Sequence, residues 1–243
     1  MDNPGTAAEG EPVWMITNHG SIGPGVSDNA SGAAGAAVLA RLLNDNPLPV
    51  PVRIMWTAGG DAQYTGGLAH YLDEQTLPGA ALALCRLGTD QPAVFGFRRD
   101  TLFGRPRDLP PDAPDLAPED YIKFIDPPPQ HRSHLWDLDY PYIYKRLSSE
   151  GRAEIMVTPD HWMTAAETVD KDLKIGVLPA SPTDLGLRLL ETGAPTATYW
   201  RFSPYSNTHK DTLDRIIPEI LGQDICFLDR VLREVTKEGQ SND

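Results

Sequence analysis

The sequence predicts an α/β protein with a mostly parallel sheet and helices on its faces. Short apolar runs at 13–17, 50–56 and 80–84 have the length of buried strands. Helix-like segments at 31–43 and 66–72 separate them. The order strand, helix, strand, helix, strand favours parallel pairing through crossover connections.

The elements follow in chain order. Residues 1–11, beginning Met1-Asp2-Asn3-Pro4-Gly5, read as a disordered tail, and 12–238 as one α/β domain. The first strand ends at Asn18-His19. A turn, Gly25-Val26-Ser27-Asp28-Asn29-Ala30-Ser31-Gly32, then leads into a helix at 31–43. Asp28, Asn29 and Ser31 are the residue types that cap a helix start. The small residues of the first helical turns let that helix pack close to the sheet. Residues 104–130 hold Pro110-Pro111, Pro114, Pro118 and Pro127-Pro128-Pro129, which forbids a regular helix or central strand and makes this an insertion. Such an insertion is either a plain surface excursion or a lid over a site. Trp136, Tyr140, Tyr142 and Tyr144 are read as packing residues. A strand at 174–178, a helix at 185–191, a last strand at 197–202 and two closing helices at 213–221 and 225–235 complete the chain.

At 243 residues the chain is long enough for one sizeable core. A formal charge of −13 disfavours nucleic acid and anionic membrane as partners, and Arg98-Arg99 and Lys145-Arg146 are isolated pairs rather than a basic run. No apolar stretch reaches the roughly 20 residues that span a bilayer. The N-terminal residues lack the basic and apolar regions of a signal peptide, and Cys85 and Cys226 make no disulfide framework. A cytoplasmic location is the expectation. There is no Gly-x-Ser-x-Gly elbow and no phosphate-cradling glycine loop.

His19, at a strand end, and Asp28, at a helix mouth nine residues later, are how an α/β protein presents metal ligands at the carboxyl edge of its sheet. On these residues the chain resembles the co-catalytic zinc exopeptidases of metallopeptidase family 28, which include leucyl aminopeptidases and glutaminyl cyclases. The Asp28-Asn29-Ala30-Ser31-Gly32 run and its helix carry most of the likeness. Collinear matches across 13–90 and 181–235 extend it. The resemblance implies three layers around a mixed, mostly parallel sheet. It also implies five metal ligands and a general-base glutamate.

Carried across residue by residue, His19 matches the first ligand and Asp28 the carboxylate bridging two metals. The general-base glutamate falls on Gly60 and is missing, and the glutamate ligand beside it is shortened to Asp61. The next aspartate ligand falls on Cys85. Asn207 stands where the final histidine belongs, with His209 two residues later. A neutral amide is a poor substitute for imidazole, whereas thiolate binds zinc well. The resemblance therefore implies one zinc ion, or none, on His19, Asp28 and Cys85, with Asp61 as a substitute base and Asn207 and His209 as weaker ligands. Losing a general base removes a factor on the order of 10² to 10⁴ in rate.

Three functions follow as expectations. The first is a zinc-dependent hydrolase or acyl-transfer enzyme acting on a small amine- or amide-bearing substrate, such as a short peptide. The second is a pseudo-peptidase that binds a ligand without catalysis. The third is a repurposed biosynthetic cyclase.

Overall fold

The computed structural model describes residues 2–3, 11–19, 24–58, 68, 71–72, 77–91, 93–97, 158–173, 175–176, 185–186, 189, 193–201, 203, 205 and 209–238. The proline-rich insertion expected at 104–130 and the aromatics Trp136, Tyr140, Tyr142 and Tyr144 lie outside the described residues.

Among the described residues, seven strands make one mixed sheet. They are β1 (Asp2–Asn3), β2 (Val13–Asn18), β3 (Val52–Thr57), β4 (Ala80–Cys85), β5 (Ala93–Phe97), β6 (Ile175–Gly176) and β7 (Thr196–Arg201), in spatial order β1-β3-β2-β4-β7-β5-β6. The middle four, β3, β2, β4 and β7, are parallel, with Met15 beside both Ile54 and Leu82, and Leu82 beside Ala197. β1 joins β3, and β5 joins β7, in antiparallel fashion. Residues Asp2 and Asn3 of the expected tail thus extend the sheet edge.

Both faces of the sheet are covered, because alternate strand residues feed opposite cores. Val13, Met15, Leu82 and Leu84 pack with helices α1 (Ser31–Asp45), α2 (Asp160–Val169) and α3 (Pro218–Glu238). Trp14, Ile16, Ala81 and Ala83 face the other way, onto Leu68, Leu185 and Leu189. β2 and β4 are buried along their whole length, as a central parallel strand with two covered faces must be. α1 contributes Ala36, Leu39 and Leu43, and α3 contributes Ile225, Leu228, Val231, Leu232 and Val235. The α3 set recurs every three or four residues, which puts it on one helical stripe.

The parallel α/β architecture agrees with the sequence expectation, and several elements refine it. The two closing helices are one helix of 21 residues, preceded by a 3₁₀ turn at Leu213–Arg215. Gly222 sits in open space, so the helix runs through it with no neighbour forcing a break. β5 and α2 were not expected. The last strand is Thr196–Arg201, and the strand expected at 174–178 appears as Ile175–Gly176. Leu68, Tyr71, Leu72, Leu185, Gly186 and Leu189 are helical, within the two expected helices at 66–72 and 185–191. Among the described residues, no helix is long and apolar enough to cross a membrane.

The chain leaves β2 outward to β3 and then crosses back to β4 on the other flank of β2. α/β folds open their ligand crevice at such a reversal, beyond the carboxyl ends of the strands. Cys85, at the end of β4, and Asp28, in the turn before α1, meet at this edge.

Candidate functional site

Gly25, at φ 58°, starts a tight turn over Val26–Ala30 that closes with the Ala30 N–H on the Gly25 carbonyl at 3.1 Å. A positive φ is the conformation glycine supplies without steric cost. Asp28 and Asn29 inside the turn have non-helical backbone angles, and the peptide between them is cis. The turn is held from outside by Asp211, which is fully buried. Its carboxylate accepts the Ser27 N–H at 2.8 Å and the Asp28 N–H at 3.2 Å, and its carbonyl accepts the Val26 N–H at 3.2 Å. The Ser27 hydroxyl donates to the Ser203 hydroxyl at 2.9 Å.

Asn29 ties the turn to the sheet edge. Its amide nitrogen reaches Thr17 Oγ1 at 2.8 Å, Asn18 Oδ1 at 2.7 Å and the carbonyls of Asn18 and Leu84 at 3.2 and 3.3 Å. Its Oδ1 accepts the Arg86 N–H at 3.0 Å. The first residue of β4's exit loop is therefore fixed by the same side chain that grips the end of β2. Gly32 leaves room for this: a Cβ there would lie 2.2 Å from Asn29 Oδ1.

At the centre lies Asp28, 4% exposed. One carboxylate oxygen takes a 2.6 Å ion pair from Arg86 Nη2, and both side chains are buried. The other accepts the Cys85 thiol at 3.7 Å. Arg86 has a φ of 54°, in the left-handed region that non-glycine residues rarely adopt, and its guanidinium carbon lies 6.0 Å from the Trp200 ring centroid. A buried carboxylate is tolerated when paired and hydrogen-bonded, and Arg86 supplies the balancing charge.

The exit loop of β4 is anchored farther along by Asp224 of α3. Its carboxylate accepts the Gly88 N–H at 2.8 Å, the Tyr199 hydroxyl at 2.6 Å and the Arg201 Nε–H at 2.8 Å. Arg201 also donates to the Gln91 carbonyl at 2.6 Å. Burial, reinforced by the Asp224 charge, pushes the Tyr199 phenol well above its ordinary range. Burial alone would lower the Arg201 pKa, but its hydrogen bonds to Asp224 and the charges of Tyr199 and Asp224 together outweigh that and raise it.

The predicted site residues fare unequally. Asp28 and Cys85 come together. His19 sits at the end of β2, exposed, its N–H on the Thr57 carbonyl at 3.0 Å. His209 is exposed in a turn, and Asp61 and Asn207 lie outside the described residues. Among the described residues no three His, Cys, Asp or Glu side chains gather closely enough to hold a metal ion, so His19, Asp28 and Cys85 form no such group. The described donors do not fit zinc as arranged, because the carboxylate central to the expected site already carries a guanidinium. Sequence reasoning missed Arg86, Asp224 and Ser203. Arg86 had a readable signal: a cation closing the wholly apolar run Ala80-Ala81-Leu82-Ala83-Leu84-Cys85 needs a buried acid as partner.

No protein-family model matches the sequence, and no curated protein does. Solved structures do. A zinc aminopeptidase from Bacillus subtilis is 17% identical with a TM-score of 0.58, over 92% of this chain and 46% of that one. An aminopeptidase from Aneurinibacillus sp. strain AM-1 is 16% identical with a TM-score of 0.59, over 93% and 44%. A glutaminyl cyclase from Bacteroides thetaiotaomicron, bound to N-acetylhistamine, is 14% identical with a TM-score of 0.52, over 94% and 74%. The chain thus spans less than half the length of the two aminopeptidases and has an aminopeptidase-like α/β fold.

Proposed function

We propose that this chain is a pseudo-peptidase: an aminopeptidase-fold protein that binds a small amine- or amide-bearing ligand, such as a short peptide, without hydrolysing it. The observation that carries this reading is the 2.6 Å ion pair of Asp28 with Arg86. A carboxylate neutralised by a buried guanidinium has little charge left to offer a catalytic cation, and arginine does not release its proton in proteins. The missing base at position 60 points the same way. The ligand class is carried by the fold likeness, and the net charge of −13 argues for a small molecule rather than nucleic acid. A cytoplasmic location belongs to the same proposal.

The competing reading is the single-zinc hydrolase or acyl-transfer enzyme on His19, Asp28 and Cys85, with Asp61 as base and Asn207 or His209 as further donors. The approach of Cys85 Sγ to Asp28 Oδ1, at 3.7 Å, favours it. It requires Arg86 to leave the carboxylate. A screen of aminoacyl amides and short peptides, with and without added zinc, separates the two. The expected outcome is ligand-dependent heat by calorimetry and no turnover. Turnover abolished by a chelator and by His19→Ala would overturn the pseudo-peptidase reading.

A further inference from the structure

We infer that Arg86 is a chain-borne cation standing in for a metal at Asp28, so that this corner of the fold excludes a divalent ion rather than merely lacking one. The inference deepens the pseudo-peptidase reading and rests on the same ion pair, but it concerns what Asp28 binds and not whether the protein catalyses.

Three observations converge on it. The pair is buried on both sides, with 8% and 5% of the two side chains exposed, so no bulk water screens it. Arg86 is aimed by its backbone: Asn29 Oδ1 holds its N–H at 3.0 Å, and its φ of 54° marks a conformation non-glycine residues avoid. The turn that presents Asp28 is itself fixed by the buried Asp211 carboxylate. Both partners are therefore positioned from outside the pair. An ion entering at Asp28 would have to displace the guanidinium from the counter-charge it holds at 2.6 Å. A charge tethered to the chain is present at every metal concentration, so folding at this corner is uncoupled from metal supply, unlike a structural site whose binding energy is folding energy.

The test uses the full-length protein in equilibrium dialysis against Zn²⁺, with metal content and the thermal unfolding midpoint as readouts. Wild type should retain no stoichiometric zinc, and neither zinc nor a chelator should move its midpoint. Arg86→Met should lower the midpoint and make it rise again with Zn²⁺. Asp28→Asn added to Arg86→Met should recover stability and leave it indifferent to zinc, because both charges are then gone. If Arg86→Met does not fold without metal, recovery on adding Zn²⁺ is the readout, and failure to recover overturns the inference. One-to-one uptake by wild type that Asp28→Asn abolishes also overturns it. Peptide turnover by metal-free wild type would overturn the pseudo-peptidase reading and leave this inference standing.

Discussion

One carboxamide, that of Asn29, joins the ends of two strands to a turn and to the residue that reaches Asp28. Removing it in Asn29→Ala leaves the Thr17 hydroxyl and the Arg86 N–H without that partner in a buried setting. The expected loss is about 3 kcal/mol, since a deserted buried donor or acceptor costs about 1–3 kcal/mol. Gly32→Ala should cost about 1–3 kcal/mol by overpacking, because its Cβ would sit 2.2 Å from Asn29 Oδ1 and 2.7 Å from Nδ2. The two effects share one cause, so the double variant should lose clearly less than the sum. Urea unfolding of the three variants checks this, and simple additivity would mean that Gly32 is needed for something other than room for Asn29. At this scale the sequence was half legible. The collinear motif brought Asp28 and Cys85 to one point. Asp211, whose carboxylate holds the turn, was not among the expected site residues. Arg86 went unread because motif matching looks for ligands, and a residue that replaces the ligand's ion has no place in the pattern.

Elements were legible where burial on both faces imposes a continuous apolar run or where one helical face dominates, as in β2, β4 and α1. β5 was not, since Ala93–Phe97 is short, follows Pro92 and contains Gly96, which reads as a break. α2 has only 10 residues, too few for its periodicity to stand out. The closing helix was split at Gly222-Gln223-Asp224, where a glycine and an acid on a buried stripe look like a terminus. Asp224 is there because it binds α3 to β7 and to the exit loop of β4, and this contact carries a pH signature. Burial and the Asp224 charge raise the Tyr199 pKa above its unfolded value of 10.0. Below pH 10 both folded and unfolded chains hold that proton, so the full contribution is present. Above pH 10 the unfolded chain ionises while folded Tyr199 does not. Stability is then lost by up to about 1.4 kcal/mol per pH unit. Tyr199→Phe should be less stable by about 2 kcal/mol at pH 8, the worth of a hydrogen bond to a charged group. The two stability curves should converge above pH 10. Parallel curves would show that Tyr199 ionises normally.

Across the whole molecule, charge imbalance sets a balance between two effects of salt with opposite signs. A formal charge of −13 repels itself in the compact state, and salt relieves this by shortening the screening length from about 30 Å at 0.01 M to about 8 Å at 0.15 M. Salt also weakens favourable surface pairs such as Arg233–Asp229 at 2.9 Å and Lys237–Glu234 at 2.7 Å on α3. Exposed helix pairs of this kind contribute about 0.3–0.5 kcal/mol each, so losing a few of them is a small effect. The buried pairs Arg86–Asp28 and Arg201–Asp224 are shielded from the solvent and hardly respond. Relief of repulsion should therefore win at pH 8. The expected result is a thermal midpoint that rises by roughly 2–4 °C between 0.01 and 0.15 M sodium chloride, which corresponds to about 1 kcal/mol for a domain of this size. At pH 5, close to the sequence pI of about 4.8, the net charge nearly vanishes and the same scan should be almost flat. A midpoint that falls with salt at pH 8 would mean that local pairs, and not the overall charge, govern how this fold responds to ionic strength.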